Sequence, residues 1–373
     1  MKKLDVERLC ALVPSLELPC FVYDPTVVTA NVVELCAAFP AYHYPVKSNA
    51  HPELVRAAFA AGAMLDLCSD GDIDVAEEVA ALTRSSYTGA GLTPELLGRI
   101  VRIGCCVNLD SMHEVKLWAR FAPGRPCGVR LQIPRSASGY DVKFGLTPAE
   151  IEEALTITGR ISGIHVHDGH RGRTPEEAAE VFAAALEPLS EVLIRDLDYV
   201  SLGGGWPHAY EGESPWSVTD IAAAIDVNPL DALRRKGFRG EMLVEPGEFI
   251  VAPAGVWLAR VATIKVDRPR PGQMLIILDT PTPMPCADFA YPTTLLRRSD
   301  GSDHYELPGG RTLPCTVYGS TNSGRDRIRS SVLLPDPSPG DVVVIRDTGA
   351  YVQSLISGFN ERRPPSTYVM PQR

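Results

Sequence analysis

Residues 28–250 repeat one rhythm: a short apolar run, a polar or glycine punctuation, then a stretch whose apolar positions recur three and four apart. AYHYPVKSN predicts a strand and HPELVRAAFAAGA a helix. MLDLCSD and GDIDVAEEVAAL repeat the pair, as do SSYTGAG and TPELLGRIVRIG, with Thr93 and Glu95 supplying helix-start chemistry. CCVNLD precedes SMHEVKLWARFA, where Ser111 is a natural N-cap. CGVRLQIP leads to TPAEIEEALTIT, ISGIHVH to TPEEAAEVFAAALEPLSEVL, and LDYVSLGGG to VTDIAAAIDVNPLDALRRKG. EMLVEPGEF closes the series. Eight strands alternating with helices predict an α/β fold, a (β/α)8 barrel. A doubly wound open sheet gives the same alternation, so the pattern leaves both open. In either, functional residues gather at the C-terminal ends of the strands.

Beyond residue 251 the rhythm changes. GVWLARVATIKV, GQMLIILDT, TLPCTVYGS and GDVVVIRDT predict strands between Pro/Gly turns. The organisation expected is therefore a segment 1–27 whose LPCFVYD strand joins the β domain, a barrel over 28–250, and a C-terminal β-sandwich or barrel-like domain over 251–373.

A chain of 373 residues suits two domains better than one core. An apolar fraction of 45% and a charged fraction of 22% are those of a globular protein. The net charge of −10, with no basic run, argues against nucleic acid as a partner. Asp5, Glu7 and Arg8 interrupt the N-terminal segment, so it does not read as a signal peptide. No apolar run is long enough for a membrane span. The nine cysteines show no CxxC spacing and predict reduced thiols in a cytoplasmic protein.

Several polar residues interrupt the apolar strands. Lys47 lies in the first barrel strand, where an unused lysine is costly. Glu245 follows an apolar run and precedes Pro-Gly, a position at a barrel mouth. Gly203, Gly204 and Gly205 end the seventh strand, where backbone can approach an anion closely. His165 and His167 share one face of the sixth strand. With Asp168 they could be read as a metal site, but no set of three or four ligands is evident, so no metal is expected and a ring-stacking histidine is the better reading. Taken singly, each has a plainer explanation: a surface lysine, a surface glutamate, a tight loop. One chemistry uses them all. Pyridoxal 5'-phosphate (PLP) needs a lysine for its aldehyde, a carboxylate for its ring nitrogen, something flat against the ring and backbone N–H groups for its phosphate.

Lys47 in YPVKSN, then GIHVHDGH, SLGGGWP, EPGEF and DTGAYVQSLISGFN, in that order, resemble the fold-type III PLP decarboxylases, the ornithine, arginine and diaminopimelate decarboxylases among them. The resemblance runs from FVYD at residue 21 to near 364. It implies a PLP-binding, alanine-racemase-like barrel and a PLP-dependent amino-acid decarboxylase. Lys47 matches the family's Schiff-base lysine. Asp66 and Ser69 match a motif near the cofactor, Arg130 the arginine of the fifth strand, and His167 the histidine stacked on the ring. Gly203, Gly204 and Gly205 match the phosphate loop, Glu245 the partner of the pyridine nitrogen, and Tyr351 the tyrosine that reaches the phosphate. The family also implies a head-to-tail homodimer with shared active sites, completed by a segment of the partner's β domain.

Three departures bear on function. In YGSTNSGRD, Asn322 stands where the family has a cysteine that protonates the carbanion, while Asp326 keeps the family's aspartate. Asparagine has no titrating proton and is no general acid. Ser323 follows, where members acting on basic diamines carry an aspartate, so ornithine is discounted as substrate. Second, EPGE puts Glu248 where an arginine is usual, which points to contact with a substrate amino or hydroxyl group or to a different orientation of the substrate. Third, His170 replaces a serine, and His170, Arg171 or Arg173 would take over the lost phosphate contact. These residues mark Lys47, His167, Asn322 and Asp326 as catalytic candidates, and Glu248, Asn322, Ser323 and Asp326 as substrate contacts. The leading expectation is decarboxylation at Cα of an unusual amino acid in a specialised biosynthetic pathway. A racemase, epimerase or other non-decarboxylating or oxidative PLP reaction is the second, and a non-catalytic regulatory homologue the third.

Overall fold

The structure is a computed structural model and describes residues 1–79, 85–133, 143–169, 173–268, 270–283, 290–299 and 302–371. The chain folds as two compact units, one of residues 1–28, 208–214 and 250–373, the other of residues 29–207 and 215–249. Strand β1 (Cys20–Tyr23) belongs to the first.

The second unit is a parallel barrel of β2 (His43–Pro45), β3 (Met64–Leu67), β4 (Ser86–Tyr87), β5 (Cys106–Leu109), β6 (Cys127–Arg130), β7 (Ile161–His165), β8 (Tyr199–Ser201) and β9 (Glu241–Leu243), hydrogen-bonded in sequence order. A parallel bridge between Tyr42 and Val244, with His43 N–H donating to Val244 O at 3.0 Å, brings the last strand to the first. An open sheet is thereby ruled out.

The helices between these strands start where the sequence says they should. Thr93, Thr147 and Thr174 each precede a proline that opens a helix, and each accepts a hydrogen bond from the backbone N–H three residues on. Glu150 and Glu177 complete reciprocal capping boxes with their threonines. Ser111 caps Met112–Phe121 in the same way. Gly104 and Gly159 end their helices at φ +75°, a conformation that glycine adopts without steric cost.

Tyr199 fills the barrel interior. Gly163 leaves room for its ring and Gly128 for its hydroxyl, since a methyl at either would fall inside contact distance. Its hydroxyl donates to Asn108 Oδ1 at 2.7 Å, and Asn108 Nδ2 donates to Thr88 Oγ1 at 2.9 Å. His43 Nδ1 lies 2.8 Å from Ser86 Oγ. These buried polar groups find partners inside the barrel, as burial demands.

The first unit is a mostly antiparallel sheet. β10 (Gly255–Val266) pairs with β1 and with β16 (Val342–Arg346) along its first half, and with β11 (Met274–Leu278) along its second. The register shifts between Val261 and Thr263, where the strand passes from one set of partners to the other. β12 (Thr293–Arg298) and β13 (Tyr305–Glu306) extend one end, β14 (Thr312–Tyr318) and β15 (Arg327–Pro335) the other, and β17 (Ser366–Val369) runs parallel to β1. The 208–214 excursion is held within this unit, with Glu211 N–H donating to Ala290 O at 3.0 Å and Glu211 paired to Arg329 at 3.1 Å. Among the described residues, no helix is long and apolar enough to cross a membrane.

Candidate active site

The expected first barrel strand runs through Lys47, but the ladder stops at Pro45, opposite Asp66. Proline has no N–H to donate onward, and Val46–Ser48 form a 3-10 turn instead. Buried Val46 and Ser48 anchor this turn, the latter through Oγ donating to Pro45 O at 2.7 Å. Lys47 projects from it with its side chain 41% exposed, and its Nζ lies 3.5 Å from Asp66 Oδ2.

Asp66, at the middle of β3, is fully buried, and neither carboxylate oxygen accepts a hydrogen bond from the described residues. Burial, then the charge of Glu245, pushes its carboxyl up to about 7 against the attraction of Lys47.

Glu245 follows β9 and is held on both oxygens. Ser201 Oγ donates to Oε1 at 2.7 Å, and His165 Nε2 lies 3.0 Å from Oε2. Burial, then the Arg130 cation, holds His165 well below the usual histidine range, so the ring is neutral and donates Nε2–H. Its Nδ1 has no hydrogen-bond partner among the described residues. The contact is a hydrogen bond rather than an ion pair.

His167 stands parallel to His165, with ring centroids 6.4 Å apart and 5° between planes. Burial, then Arg130, depresses its titration too. Its Nδ1 accepts the N–H of Gly204 at 3.1 Å, which leaves the proton on Nε2. Among the described residues, no group of three or more His, Cys, Asp or Glu is placed to hold a metal ion.

The glycine turn lies flat against its neighbours. Gly203 (φ +59°) and Gly205 (φ +82°) have left-handed backbones, and methyls there would meet His167 and the Asp168 carbonyl. A methyl on Gly204 would meet the Glu245 carbonyl. Gly203 N–H donates to Ser201 Oγ at 3.1 Å, and Gly204 N–H to His167, as above. Only the Gly205 N–H of the three makes no hydrogen bond to the described residues.

Arg130 ends β6 with its guanidinium 4.2 Å over the Phe144 ring and 3.8 Å from Asp110 Oδ1. Burial lowers its pKa, and the nearby Asp110, Glu245 and Asp66 charges counter that. Glu248 is half-buried and opens the short helix Glu248–Val251. Ser69 caps the helix Asp70–Glu78 by accepting Asp72 N–H at 3.1 Å. Arg173 pairs with buried Asp168. His170 and Arg171 lie outside the described residues.

The barrel unit thus brings together Lys47, Asp66, Arg130, His165, His167, Gly203–Gly205 and Glu245. The remaining candidates belong to the other unit. Tyr351, at φ +61°, is half-buried after β16. Asn322 is exposed, and its N–H donates to Asn360 Oδ1 at 2.8 Å. Ser323 is half-buried beside it. Asp326 is buried, and its Oδ2 accepts from Thr321 N–H at 2.9 Å and Thr321 Oγ1 at 2.6 Å. It clasps its own loop. Ser201 escaped the sequence reading, although a serine in the strand just before three glycines was its visible signal. His165 was noticed there only as a possible metal ligand or ring-stacking histidine, not as a partner of Glu245.

Residues 28–252 match the family described as pyridoxal-dependent decarboxylase, pyridoxal binding domain. A diaminopimelate decarboxylase of Actinosynnema pretiosum subsp. auranticum is 31% identical over 96% of this chain and 87% of its own length. Diaminopimelate decarboxylase from Helicobacter pylori, solved with L-lysine, superposes with a TM-score of 0.82 at 21% identity, covering 98% of this chain and 94% of that one. The lysine/ornithine decarboxylase of Vibrio vulnificus, solved with cadaverine, gives 0.80 at 24% identity, with 98% of each chain covered. These two likenesses establish the fold.

Proposed function

The chain belongs to the pyridoxal-dependent decarboxylases, and from that membership we propose that Lys47, Asp66, His167, Gly205 and Glu245 form its cofactor cradle, and that its substrate is an amino acid other than ornithine. It is a PLP-dependent amino-acid decarboxylase; the residue roles and the substrate are the proposal. The observation that carries it is a set of unfilled valences within the barrel unit, one of them 3.5 Å from Lys47 Nζ. The buried Asp66 carboxylate, His165 Nδ1 and the Gly205 N–H have no hydrogen-bond partner among the described residues. Buried polar groups left this way are costly unless an occupant meets them, so the residues fit PLP.

Bound PLP supplies an electron sink for the pair released when a carboxylate leaves Cα. The chain's residues do the rest. Lys47 Nζ is the nucleophile for the cofactor aldehyde. Glu245, held by two donors, offers its remaining lone pairs to the ring nitrogen. His167, fixed by Gly204 N–H, presents a neutral ring face. Gly205 N–H, which makes no hydrogen bond to the described residues, would be a donor to the phosphate. Arg130 remains charged and balances Asp66 and Glu245.

Asn322 supplies no proton, so the proton delivered to Cα comes from elsewhere. Asp66, whose carboxyl titrates near 7 beside Lys47, can hold one at Oδ2 at neutral pH. Glu248 and Ser323 favour a substrate with an amino or hydroxyl group rather than a second carboxylate at those contacts, which suits a specialised pathway. The family's shared-site arrangement further suggests a homodimer to which a partner copy contributes Asn322, Ser323 and Asp326.

The test is direct. The purified protein should carry the visible absorbance of bound PLP, and Lys47→Ala should abolish it. A panel of amino acids, followed for CO2 release and for loss of optical rotation, should give CO2. A colourless protein that takes up no PLP overturns the cradle. Racemisation without CO2 overturns the reaction.

A further inference from the structure

We infer that His165 and Ser201 are positioning residues that clamp the two carboxylate oxygens of Glu245, His165 by donating Nε2–H to Oε2 at 3.0 Å and Ser201 by donating Oγ–H to Oε1 at 2.7 Å. The inference rests on Glu245 meeting the ring nitrogen of PLP. It goes further in assigning what holds that carboxylate and where it points.

Glu245 is 4% exposed, so its oxygens need partners within the protein. A carboxylate has about four lone-pair sites, so two donors leave room for the cofactor. The charged groups around the clamp are Lys47 from the turn after β2, Asp66 from β3 and Arg130 from β6. Burial and the two cations keep His165 neutral, which is the form that donates Nε2–H and leaves Nδ1 without a hydrogen-bond partner among the described residues.

The clamp also ties the acid to the glycine turn. Ser201 Oγ accepts Gly203 N–H at 3.1 Å while donating to Glu245, and Glu245 N–H donates to Gly203 O at 2.7 Å. The ring-nitrogen partner and the turn beside the phosphate are thereby held as one body across β7, β8 and the end of β9. A stacking or metal role for His165 needs none of these contacts.

The test compares His165→Gln with His165→Leu. The glutamine amide can donate from the position of Nε2, and leucine cannot. Apo-protein is titrated with PLP by fluorescence, and the absorbance band of the loaded protein is recorded. His165→Leu should weaken PLP binding by about ten- to a hundred-fold, the range for losing a hydrogen bond to a charged group, and should shift the band. His165→Gln should restore affinity to within about three-fold of wild type, with the wild-type band. Equal damage in both variants, or wild-type affinity and band in His165→Leu, overturns the inference. Ser201→Ala removes the other donor with little change of volume. It should weaken PLP binding by about ten-fold if the clamp operates, and wild-type binding there overturns the inference even where His165→Leu does not fold. Glu245→Gln separates the premise. If it leaves PLP affinity and the band unchanged, Glu245 does not meet the ring nitrogen and the underlying reading fails. If it disturbs both while the His165 and Ser201 variants do not, only the clamp fails.

Discussion

Gly204→Ala tests the cradle at the backbone contact between the glycine turn and Glu245. The Gly204 backbone lies outside the left-handed region, so alanine can adopt it, and the whole effect comes from contact. The added methyl would sit 2.4 Å from the Glu245 carbonyl oxygen, 3.1 Å from its carbon and 3.4 Å from Pro246 Cα. Relief requires the turn and the end of β9 to separate by about 1 Å, and overpacking of this kind costs roughly 1–3 kcal/mol. That movement stretches two hydrogen bonds, Glu245 N–H to Gly203 O at 2.7 Å and Gly204 N–H to His167 Nδ1 at 3.1 Å. Each contributes about 0.5–1.5 kcal/mol net. A loss of about 3 kcal/mol is therefore expected in urea unfolding of the apo-protein. PLP affinity should fall about ten-fold or more, because Glu245 and the Gly205 N–H are displaced together. Gly98→Ala is the control. It lies inside the helix Pro94–Ile103, its nearest foreign atom would be Arg102 Nη1 at 3.7 Å, and it should stabilise by about 0.5–1 kcal/mol. A Gly204→Ala protein with the wild-type urea midpoint and PLP affinity would show slack in the turn and refute the reasoning.

Other substitutions probe other parts of the argument. Asp66 titrates at about 7 in the folded apo-protein, above its unfolded value, so the folded state keeps a proton that the unfolded state releases, and stability falls as pH rises from about 4 to about 7. Asp66→Asn should remove this fall, on the order of a few kcal/mol, and an unchanged pH slope of the apo-protein urea midpoint would count against the burial of that charge. Gly163→Ala drives a methyl into the Tyr199 ring and should destabilise by about 3 kcal/mol in urea; a loss under about 1 kcal/mol would mean that the barrel interior is not packed as described. Asp326→Ala strands the Thr321 N–H and hydroxyl and should cost about 2 kcal/mol, while exposed Asn322→Ala should stay within about 0.5 kcal/mol. Equal stability losses in the two would remove the loop-clasp role assigned to Asp326.

Much of the fold was written locally. Helix periodicity, Thr-Pro starts and short apolar runs act over a few residues, which is why the β/α alternation was legible along the chain. Closure was not legible, because it depends on Tyr42 meeting Val244, far apart in sequence. The end of β2 at Pro45 was misjudged for a local reason, as the apolar run continues through Val46 while the ladder does not. Polar residues inside apolar strands pose a harder problem. Tyr199, Asn108, His43, Asp66 and His165 look alike in sequence, and each interrupts an apolar run. The barrel sorts them. Tyr199, Asn108 and His43 find hydrogen-bond partners within it, so their polarity is a packing matter. Asp66 and His165 Nδ1 keep a valence that no described residue fills, and the charge of Lys47 acts on both residues. The glycine triplet divides along the same line. Gly203 and Gly204 use their N–H groups to hold Ser201 and His167 in place, and the Gly205 N–H makes no hydrogen bond to the described residues. An anion loop inferred from three glycines therefore contains one candidate donor, Gly205, and two glycines whose N–H groups are already used within the fold.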